Sequence, residues 1–225
     1  MTTLSVQLCL PGLDVAFTVP AGVTVLFGPS GAGKSRTLGA IAGLLVPERG
    51  RIALDDEVWF DGRARVAVHD RRIAYVFQSL ALFPHLTALE NVAYGLPRGN
   101  DRRERAMAML ERMRVGTLAE RKPGTFSGGE AQRVALARAF ALEPRVVLLD
   151  EPFSALDADV KEELLEEVKS ALARSGVPAI FVTHQPDDAR LLGERVVFLE
   201  HGKVTRTAAM NEEPFFRATA GRTTA

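Results

Sequence analysis

Eight consecutive residues near the N-terminus have the types and spacing needed to hold phosphate groups. Residues 28–35 read Gly-Pro-Ser-Gly-Ala-Gly-Lys-Ser, after a β-favouring run at 23–27 and before a predicted helix. The glycines allow backbone N–H groups to turn inward around an anion without Cβ clashes. The helix that follows adds the positive end of its dipole. This order of strand, glycine-rich loop and helix is that of a P-loop, and it predicts a site for nucleotide phosphates.

The side chains of this loop have distinct expected roles. Lys34 would place its ammonium group between the β- and γ-phosphates of ATP, where it also supports catalysis, and the Ser35 hydroxyl would bind Mg²⁺. The predicted phosphate-binding residues are Gly28, Pro29, Ser30, Gly31, Ala32, Gly33, Lys34, Ser35 and Thr37.

Two adjacent acids follow a second apolar run, at residues 146–149. In open α/β sheets ligands bind at the carboxyl ends of the strands, so Asp150 and Glu151 are placed where a nucleotide would lie. Asp150 is predicted to hold the Mg²⁺ shell, as the acid at the end of such a strand does in P-loop ATPases. Glu151 points in a different direction and can orient or deprotonate the attacking water, which makes it the predicted catalytic base.

The composition is that of a globular protein without a strong electrostatic field. The 225 residues include 28 basic and 28 acidic side chains, so nucleic acid is not an expected partner. Cys9 is the only cysteine, which excludes an internal disulfide and a cysteine-based zinc cage. The sequence has neither a signal peptide nor a run of about 18 apolar residues. We therefore expect a cytoplasmic protein whose membrane role, if any, depends on a partner.

The hydrophobic pattern predicts how the elements are arranged. Alternating segments separated by turn residues predict two antiparallel hairpins, 4–10 with 14–19 and 51–54 with 57–60. Short apolar runs without alternation predict a buried parallel sheet. These runs are 146–149, 179–182 and 196–199, and a further strand is predicted at 73–77. The predicted helices are 101–114, 130–141 and 159–174.

The predicted fold class is α/β, a P-loop NTPase core with a mainly parallel sheet, an N-terminal antiparallel β part and an inserted α-helical subdomain. We predict one domain over residues 1–225. Its core comprises 1–78 and 145–205, the helical subdomain comprises 79–144, and a C-terminal tail comprises 206–225.

A further segment narrows the class of nucleotide-binding protein. Residues 126–133, Phe-Ser-Gly-Gly-Glu-Ala-Gln-Arg, resemble the signature sequence of the ABC ATPase family, usually written LSGGQ. Three further features follow the order of that family. Gln78 is similar to its Q-loop glutamine, residues 154–157 to its D-loop, and His184 to its switch histidine.

This resemblance implies a head-to-tail dimer of two identical chains that closes on ATP. Ser127, Gly128, Gly129 and Glu130 of one copy would contact the γ-phosphate held by the other. His184 would bind the γ-phosphate and the attacking water, Gln78 would contact Mg²⁺, and Asp157 would act across the interface. ATP then favours the closed dimer because it bridges the two copies.

The chain departs from the family pattern at the position expected to stack on adenine. Residues 1–27 contain neither Tyr nor Trp, and Phe17 and Phe27 lie in predicted core strands. The expected position holds Leu10 or Pro11, so we expect base stacking to be weak or absent. Phe126 and Glu130 replace the usual Leu and Gln of the signature, and neither change should abolish activity.

The loop between Gln78 and Leu86 resembles the segment of importer ATPases that meets the membrane permease. Residues 71–78 and 82–85 resemble the molybdate/tungstate group within these importers. This resemblance implies a motor on the inner face of the membrane, serving a permease and a periplasmic or extracellular solute-binding protein. Two alternatives stay open: the motor of an exporter, and a soluble ABC ATPase of DNA repair, translation or cluster assembly.

Overall fold

The computed structural model describes residues 2–154, 156 and 158–219. Asp157, predicted to act across a dimer interface, lies outside the described residues. In chain order the elements are β1 (Thr3–Leu10), β2 (Leu13–Pro20), β3 (Gly22–Phe27), α1 (Lys34–Ala42), β4 (Arg49–Leu54), β5 (Glu57–Phe60), β6 (Ile73–Val76), α2 (Ala88–Ala93), α3 (Arg102–Arg112), α4 (Gly128–Ala141), β7 (Val146–Asp150), α5 (Ala158–Ser175), β8 (Pro178–Thr183), α6 (Pro186–Leu192), β9 (Arg195–Glu200), β10 (Lys203–Ala209) and α7 (Pro214–Thr219).

All ten strands described form one sheet in the order β5-β4-β1-β2-β10-β9-β3-β8-β7-β6. The five strands from β9 to β6 pair in parallel, whereas β5, β4, β1 and β2 pair antiparallel. The predicted α/β class is confirmed, as are both hairpins. The first turns at Pro11 and Gly12, where Gly12 has a φ of 73° that favours glycine.

The parallel half of the sheet is covered on both faces. Along β7, Val147 and Leu149 pack into one core with the helices of the insertion, and Val146 and Leu148 pack into the other with α1. A strand buried on both faces has no polar side, which is why these segments are apolar without alternation. Because successive side chains alternate, Asp150 leaves the sheet on the α1 face.

The segment predicted as a helical insertion contains α2, α3 and α4, which pack on one another between β6 and β7. Two of these helices begin with a capping box. The Thr87 side chain accepts from Glu90 N at the start of α2, and the Ser127 side chain accepts from Glu130 N at the start of α4. The cap at Ser127 starts α4 two residues before the predicted position 130.

The predicted core boundary at residue 205 falls inside a strand. β10 pairs antiparallel with β9 through a turn at His201 and Gly202, so the sheet continues to Ala209. The sequence does not predict this strand, because its side chains are short or charged and four of its seven residues are exposed. Among the residues that the structure describes, no helix has both the length and the apolar character needed to cross a membrane.

Candidate functional site

The phosphate loop lies between β3 and α1, as predicted. Gly28 is required there, because a Cβ at this position would lie 2.0 Å from the carbonyl oxygen of Leu199 on β9. Gly31 and Gly33 have φ values of 80° and 106°, which other residues rarely adopt. α1 begins directly at Lys34, so the loop ends on the positive end of a helix dipole.

Lys34 is enclosed by the loop that precedes it. Its side chain is 5% exposed, and Nζ donates to the carbonyl oxygens of Gly28 at 2.7 Å and Pro29 at 2.9 Å. Nζ also lies 3.9 Å from Oε1 of Glu151. Burial lowers the pKa of Lys34, and the carboxylates of Glu151 and Asp150 oppose that decrease. The Lys34 ammonium group is thus held within the phosphate loop, where phosphate oxygens could replace the carbonyl oxygens of Gly28 and Pro29 as its acceptors.

Asp150 is held by two hydroxyl groups. Ser35 Oγ donates to Oδ1 at 3.0 Å, and Tyr75 Oη donates to Oδ2 at 3.3 Å. Burial raises the pKa of Asp150, and the two hydrogen bonds oppose the increase. Burial also raises the pKa of Tyr75, so its hydroxyl stays protonated and can donate. Tyr75 is not among the site residues predicted from the sequence. The alternation of side chains along β6 nevertheless places it on the α1 face of the sheet, beside Asp150.

The donor groups of this corner fit a magnesium ion. Hydroxyl and carboxylate oxygens are ligands that Mg²⁺ prefers, and Ser35 and Asp150 present one of each in contact with one another. Gln78 is exposed in the turn that follows β6, and β6 is the strand next to β7. The Gln78 amide oxygen is also a ligand of the kind that Mg²⁺ accepts. Because β6 and β7 are parallel neighbours, Gln78 and Asp150 both lie at the carboxyl ends of the strands, as Ser35 does through its contact with Asp150.

Glu151 and His184 lie at the ends of neighbouring strands β7 and β8. Oε1 of Glu151 is 3.2 Å from Nδ1 of His184, whose side chain is 42% exposed. Glu151 has a φ of 45°, and its backbone N–H donates to the Val182 carbonyl oxygen at 3.1 Å. The left-handed backbone turns the Glu151 side chain away from that of Asp150, which gives the two adjacent acids separate surroundings.

Thr37 is the one predicted phosphate-binding residue that the structure removes from the site. It is fully buried, and its hydroxyl donates to the Gly33 carbonyl oxygen at 3.0 Å within α1. At 3.6 residues per turn, position 37 faces the core while position 35 faces Asp150. The prediction for Thr37 is therefore corrected: its side chain supports the helix behind the loop.

Ser127, Gly128, Gly129 and Glu130 form an exposed or half-exposed helix start on the insertion. Ser127 N donates to Oε2 of Glu130 at 2.7 Å, and this bond lowers the pKa of the Glu130 carboxyl. Within the described part of the chain, no hydrogen bond joins these residues to the phosphate loop. The chain thus has two separate segments able to meet an anion.

The strands β1 to β3, where an aromatic ring would be expected to stack on adenine, offer no aromatic ring that is free to do so. Phe17 is buried, and Phe27 packs edge-on against Phe216 with the ring centroids 5.3 Å apart. The exposed Pro11 accepts a hydrogen bond from Arg36 Nη2 at 2.8 Å. The turn between β1 and β2 is therefore joined to α1 by the Arg36 guanidinium group, a contact that the sequence does not predict.

Comparison with known proteins identifies the family of the chain. Residues 13–154 match the family described as ABC transporter. The molybdenum import ATP-binding protein ModC of Methylococcus capsulatus is 42% identical over 202 residues, which are 89% of this chain and 57% of that protein. The Fe(3+) ions import ATP-binding protein FbpC of Pseudomonas fluorescens is 42% identical over 199 residues, 87% of this chain and 56% of that protein.

A solved structure has a similar fold over most of the chain. The dimeric ATP-binding cassette MJ0796, bound to ADP and Pi, superposes with a TM-score of 0.79 at 33% identity, covering 93% of this chain and 99% of its own. The chain spans less than two thirds of the length of the two curated relatives. The family match covers more than half of the chain and includes the phosphate loop, the signature segment and the two acids, Asp150 and Glu151, at the end of β7. The chain belongs to the ABC transporter family.

Proposed function

We propose that the chain is an ATPase that binds ATP with Mg²⁺ and converts ATP and water to ADP and phosphate. The proposal rests on the close approach of three side chains, Lys34, Glu151 and His184, at the carboxyl ends of the parallel strands. Oε1 of Glu151 lies 3.9 Å from Lys34 Nζ and 3.2 Å from His184 Nδ1. A cation for phosphate, a base for water and a ring donor therefore surround one small volume.

Each of these side chains has a chemical role in the proposed reaction. Glu151 would accept a proton from the attacking water, and Lys34 would neutralise charge on the phosphates. The half-exposed ring of His184 is accessible for donation to the γ-phosphate. When bound, Mg²⁺ would neutralise charge on the phosphate oxygens, held by Ser35, Asp150 and Gln78.

We also propose that two copies act together, head to tail, with ATP between them. Support comes from the dimeric MJ0796 cassette and from the exposed helix start at Ser127. Ser127 through Glu130 of one copy would then meet the phosphates held by the other. A site completed only on dimerisation explains why one chain carries two segments able to meet an anion.

An apolar groove beside β6 is the proposed contact with a membrane permease. It has a volume of about 390 Å³, and its lining includes Leu44, Val68, Tyr75, Phe77, Phe83 and Tyr94. We call it the β6 groove. Leu44, Val68 and Tyr94 are 51%, 45% and 60% exposed, and an apolar surface of this kind favours a protein partner. An apolar helix-bearing loop of a permease fits such a groove better than a charged ligand does.

The proposed process is import of an oxyanion such as molybdate or tungstate. The two relatives are named as import proteins, which favours import over export and over a soluble machine. The molybdenum and Fe(3+) import proteins are equally identical to this chain, so identity alone does not distinguish their solutes. The choice of an oxyanion therefore rests on the resemblance at residues 71–78 and 82–85. The chain would then work on the cytoplasmic face of the membrane, with a solute-binding protein on the other side of the permease.

The test is an affinity pull-down of the Glu151→Gln variant with ATP from detergent-solubilised membranes, read by mass spectrometry. We expect a multi-span membrane protein, whose cognate solute-binding protein can then be titrated with molybdate, tungstate and sulfate. Recovery of ribosomal, DNA-bound or other soluble partners instead would overturn the transport proposal while leaving the ATPase proposal intact.

A further inference from the structure

Tyr75 joins two parts of the molecule that the proposed function keeps separate. It lies in β6, the edge strand of the parallel half of the sheet. Its hydroxyl donates to Oδ2 of Asp150 at 3.3 Å, and its ring forms part of the wall of the β6 groove. One half-buried side chain therefore contacts both the proposed magnesium carboxylate and the proposed partner surface.

The hydroxyl of Tyr75 restricts how the Asp150 carboxylate can rotate. The terminal torsion of an aspartate is broad, so hydrogen bonds decide the orientation of its oxygens. Ser35 donates to Oδ1 and Tyr75 donates to Oδ2, so both oxygens are engaged. Asp150 is only 6% exposed, so bulk water is poorly placed to replace a lost donor. Without Tyr75 the carboxylate would keep a single protein donor among those described.

The ring of Tyr75 is in turn held by Phe77. The two rings stack with centroids 4.0 Å apart and planes 17° apart, and both line the β6 groove. Phe77 directly precedes Gln78, the third predicted metal ligand. A partner side chain that enters the groove would contact these stacked rings. A shift of the Tyr75 ring would in turn move the hydroxyl that donates to Asp150.

We propose that Tyr75 is a positioning residue that couples occupation of the β6 groove to Mg²⁺ binding at Asp150. The inference rests on the proposed function, in which the groove receives a permease and Asp150 helps to hold Mg²⁺ with ATP. Coupling of this kind is reciprocal, so Mg²⁺-ATP also changes the affinity of the groove for its occupant.

The first experiment removes only the hydroxyl, with Tyr75→Phe. Binding of fluorescent methylanthraniloyl-ATP is titrated with Mg²⁺ and, separately, in EDTA. We expect the half-saturating Mg²⁺ concentration to rise about 10-fold, as for the loss of one hydrogen bond to a carboxylate, with affinity in EDTA within about 2-fold. The matched control is Tyr94→Phe, which removes the only other tyrosine hydroxyl from the same groove.

The second experiment fills the groove. Val68→Cys in a Cys9→Ser background gives a single thiol on the groove wall, which is labelled with bimane. We expect the label to shift the half-saturating Mg²⁺ concentration by at least about 2-fold when Tyr75 is present and to have no further effect in the Tyr75→Phe protein. Loss of the shift in that protein would assign the coupling to the hydroxyl.

Two results would overturn the inference. An unchanged Mg²⁺ dependence in Tyr75→Phe would mean that the hydroxyl only stabilises the fold, and an equal label effect with and without it would place the coupling elsewhere. Melting temperatures of all variants identify a general loss of structure, and Tyr75→Leu tests whether an aliphatic side chain gives the same result. Absence of Mg²⁺-dependent nucleotide binding in the unmodified chain would instead overturn the proposed ATPase function.

Discussion

Oε1 of Glu151 lies 3.2 Å from Nδ1 of His184, across the ends of the adjacent parallel strands β7 and β8. The register of these strands fixes the contact, since Asp150 pairs with Val182 two residues before the histidine. The carboxylate and the ring would thus reach the same attacking water and γ-phosphate. This contact makes Glu151 the residue whose change should separate nucleotide binding from hydrolysis.

Replacing Glu151 with Gln removes the proposed base and keeps the shape of the side chain. We expect kcat for ATP hydrolysis to fall by about 10²- to 10⁴-fold, since a positioned base contributes that much. ATP should still bind and should hold two copies together, which light scattering on a sizing column measures. The control is Glu166→Gln, on the exposed face of α5. A monomer at saturating ATP and Mg²⁺ would contradict the head-to-tail arrangement.

Replacing Lys34 with Ala removes the cation that the phosphate loop encloses. Because hydrogen bonds from a charged group to phosphate are strong, we expect ATP affinity to fall on the order of 100-fold. Isothermal titration calorimetry with ATP measures the loss, and Lys169→Ala, an exposed lysine of α5, provides the control. Unchanged affinity in Lys34→Ala would place the phosphates elsewhere.

Ser35 and Thr37 should respond differently to loss of their hydroxyl groups. Thr37→Val is expected to leave ATP affinity within about 2-fold, because its hydroxyl bonds to Gly33 inside α1 and the Thr37 N–H still satisfies that carbonyl. Its cost in stability should be about 1 kcal/mol. Ser35→Ala should instead raise the Mg²⁺ concentration required for nucleotide binding. A large loss of ATP affinity in Thr37→Val would restore the original prediction for that residue.

The ion pair between Lys161 and Asp188 should contribute to the stability of the fold. Lys161 Nζ on α5 lies 2.5 Å from Oδ1 of Asp188 on α6, and the side chains are 24% and 7% exposed. We expect Lys161→Met to reduce the free energy of unfolding by about 2 kcal/mol at pH 7. This is less than the ~3–5 kcal/mol of a fully buried pair, because Lys161 remains partly in water. Thermal or urea unfolding measures the effect.

The loss in Lys161→Met should depend on pH. Burial raises the pKa of Asp188, and the Lys161 ammonium opposes that increase, so the substitution raises this pKa further. A carboxyl with a raised pKa in the folded state binds its proton more readily there than in the unfolded chain. The free energy of unfolding therefore falls as pH rises through the raised pKa. The deficit should be smaller at pH 4 than at pH 7, whereas Lys169→Met should show neither the deficit nor its pH dependence.

Most elements of the core could be predicted from the sequence, because their patterns follow from burial. The alternation along β1 and β2 and the turn at Pro11 and Gly12 predict a hairpin with one buried face. The wholly apolar β7 and β8 predict strands covered on both faces. β10 could not be predicted, because it pairs through its backbone while its side chains stay half-exposed.

The sequence by itself determined the types of the reacting groups and the order in which they come: loop, glutamine, signature, acids and histidine. Only the tertiary structure decided which side chains meet. Tyr75 donates to Asp150 because β6 and β7 lie side by side in parallel register, while one turn of α1 directs Ser35 to the same carboxylate and turns Thr37 into the core. Spacing along the chain specifies the local turn of a helix or strand, whereas a contact between distant residues depends on strand order and packing.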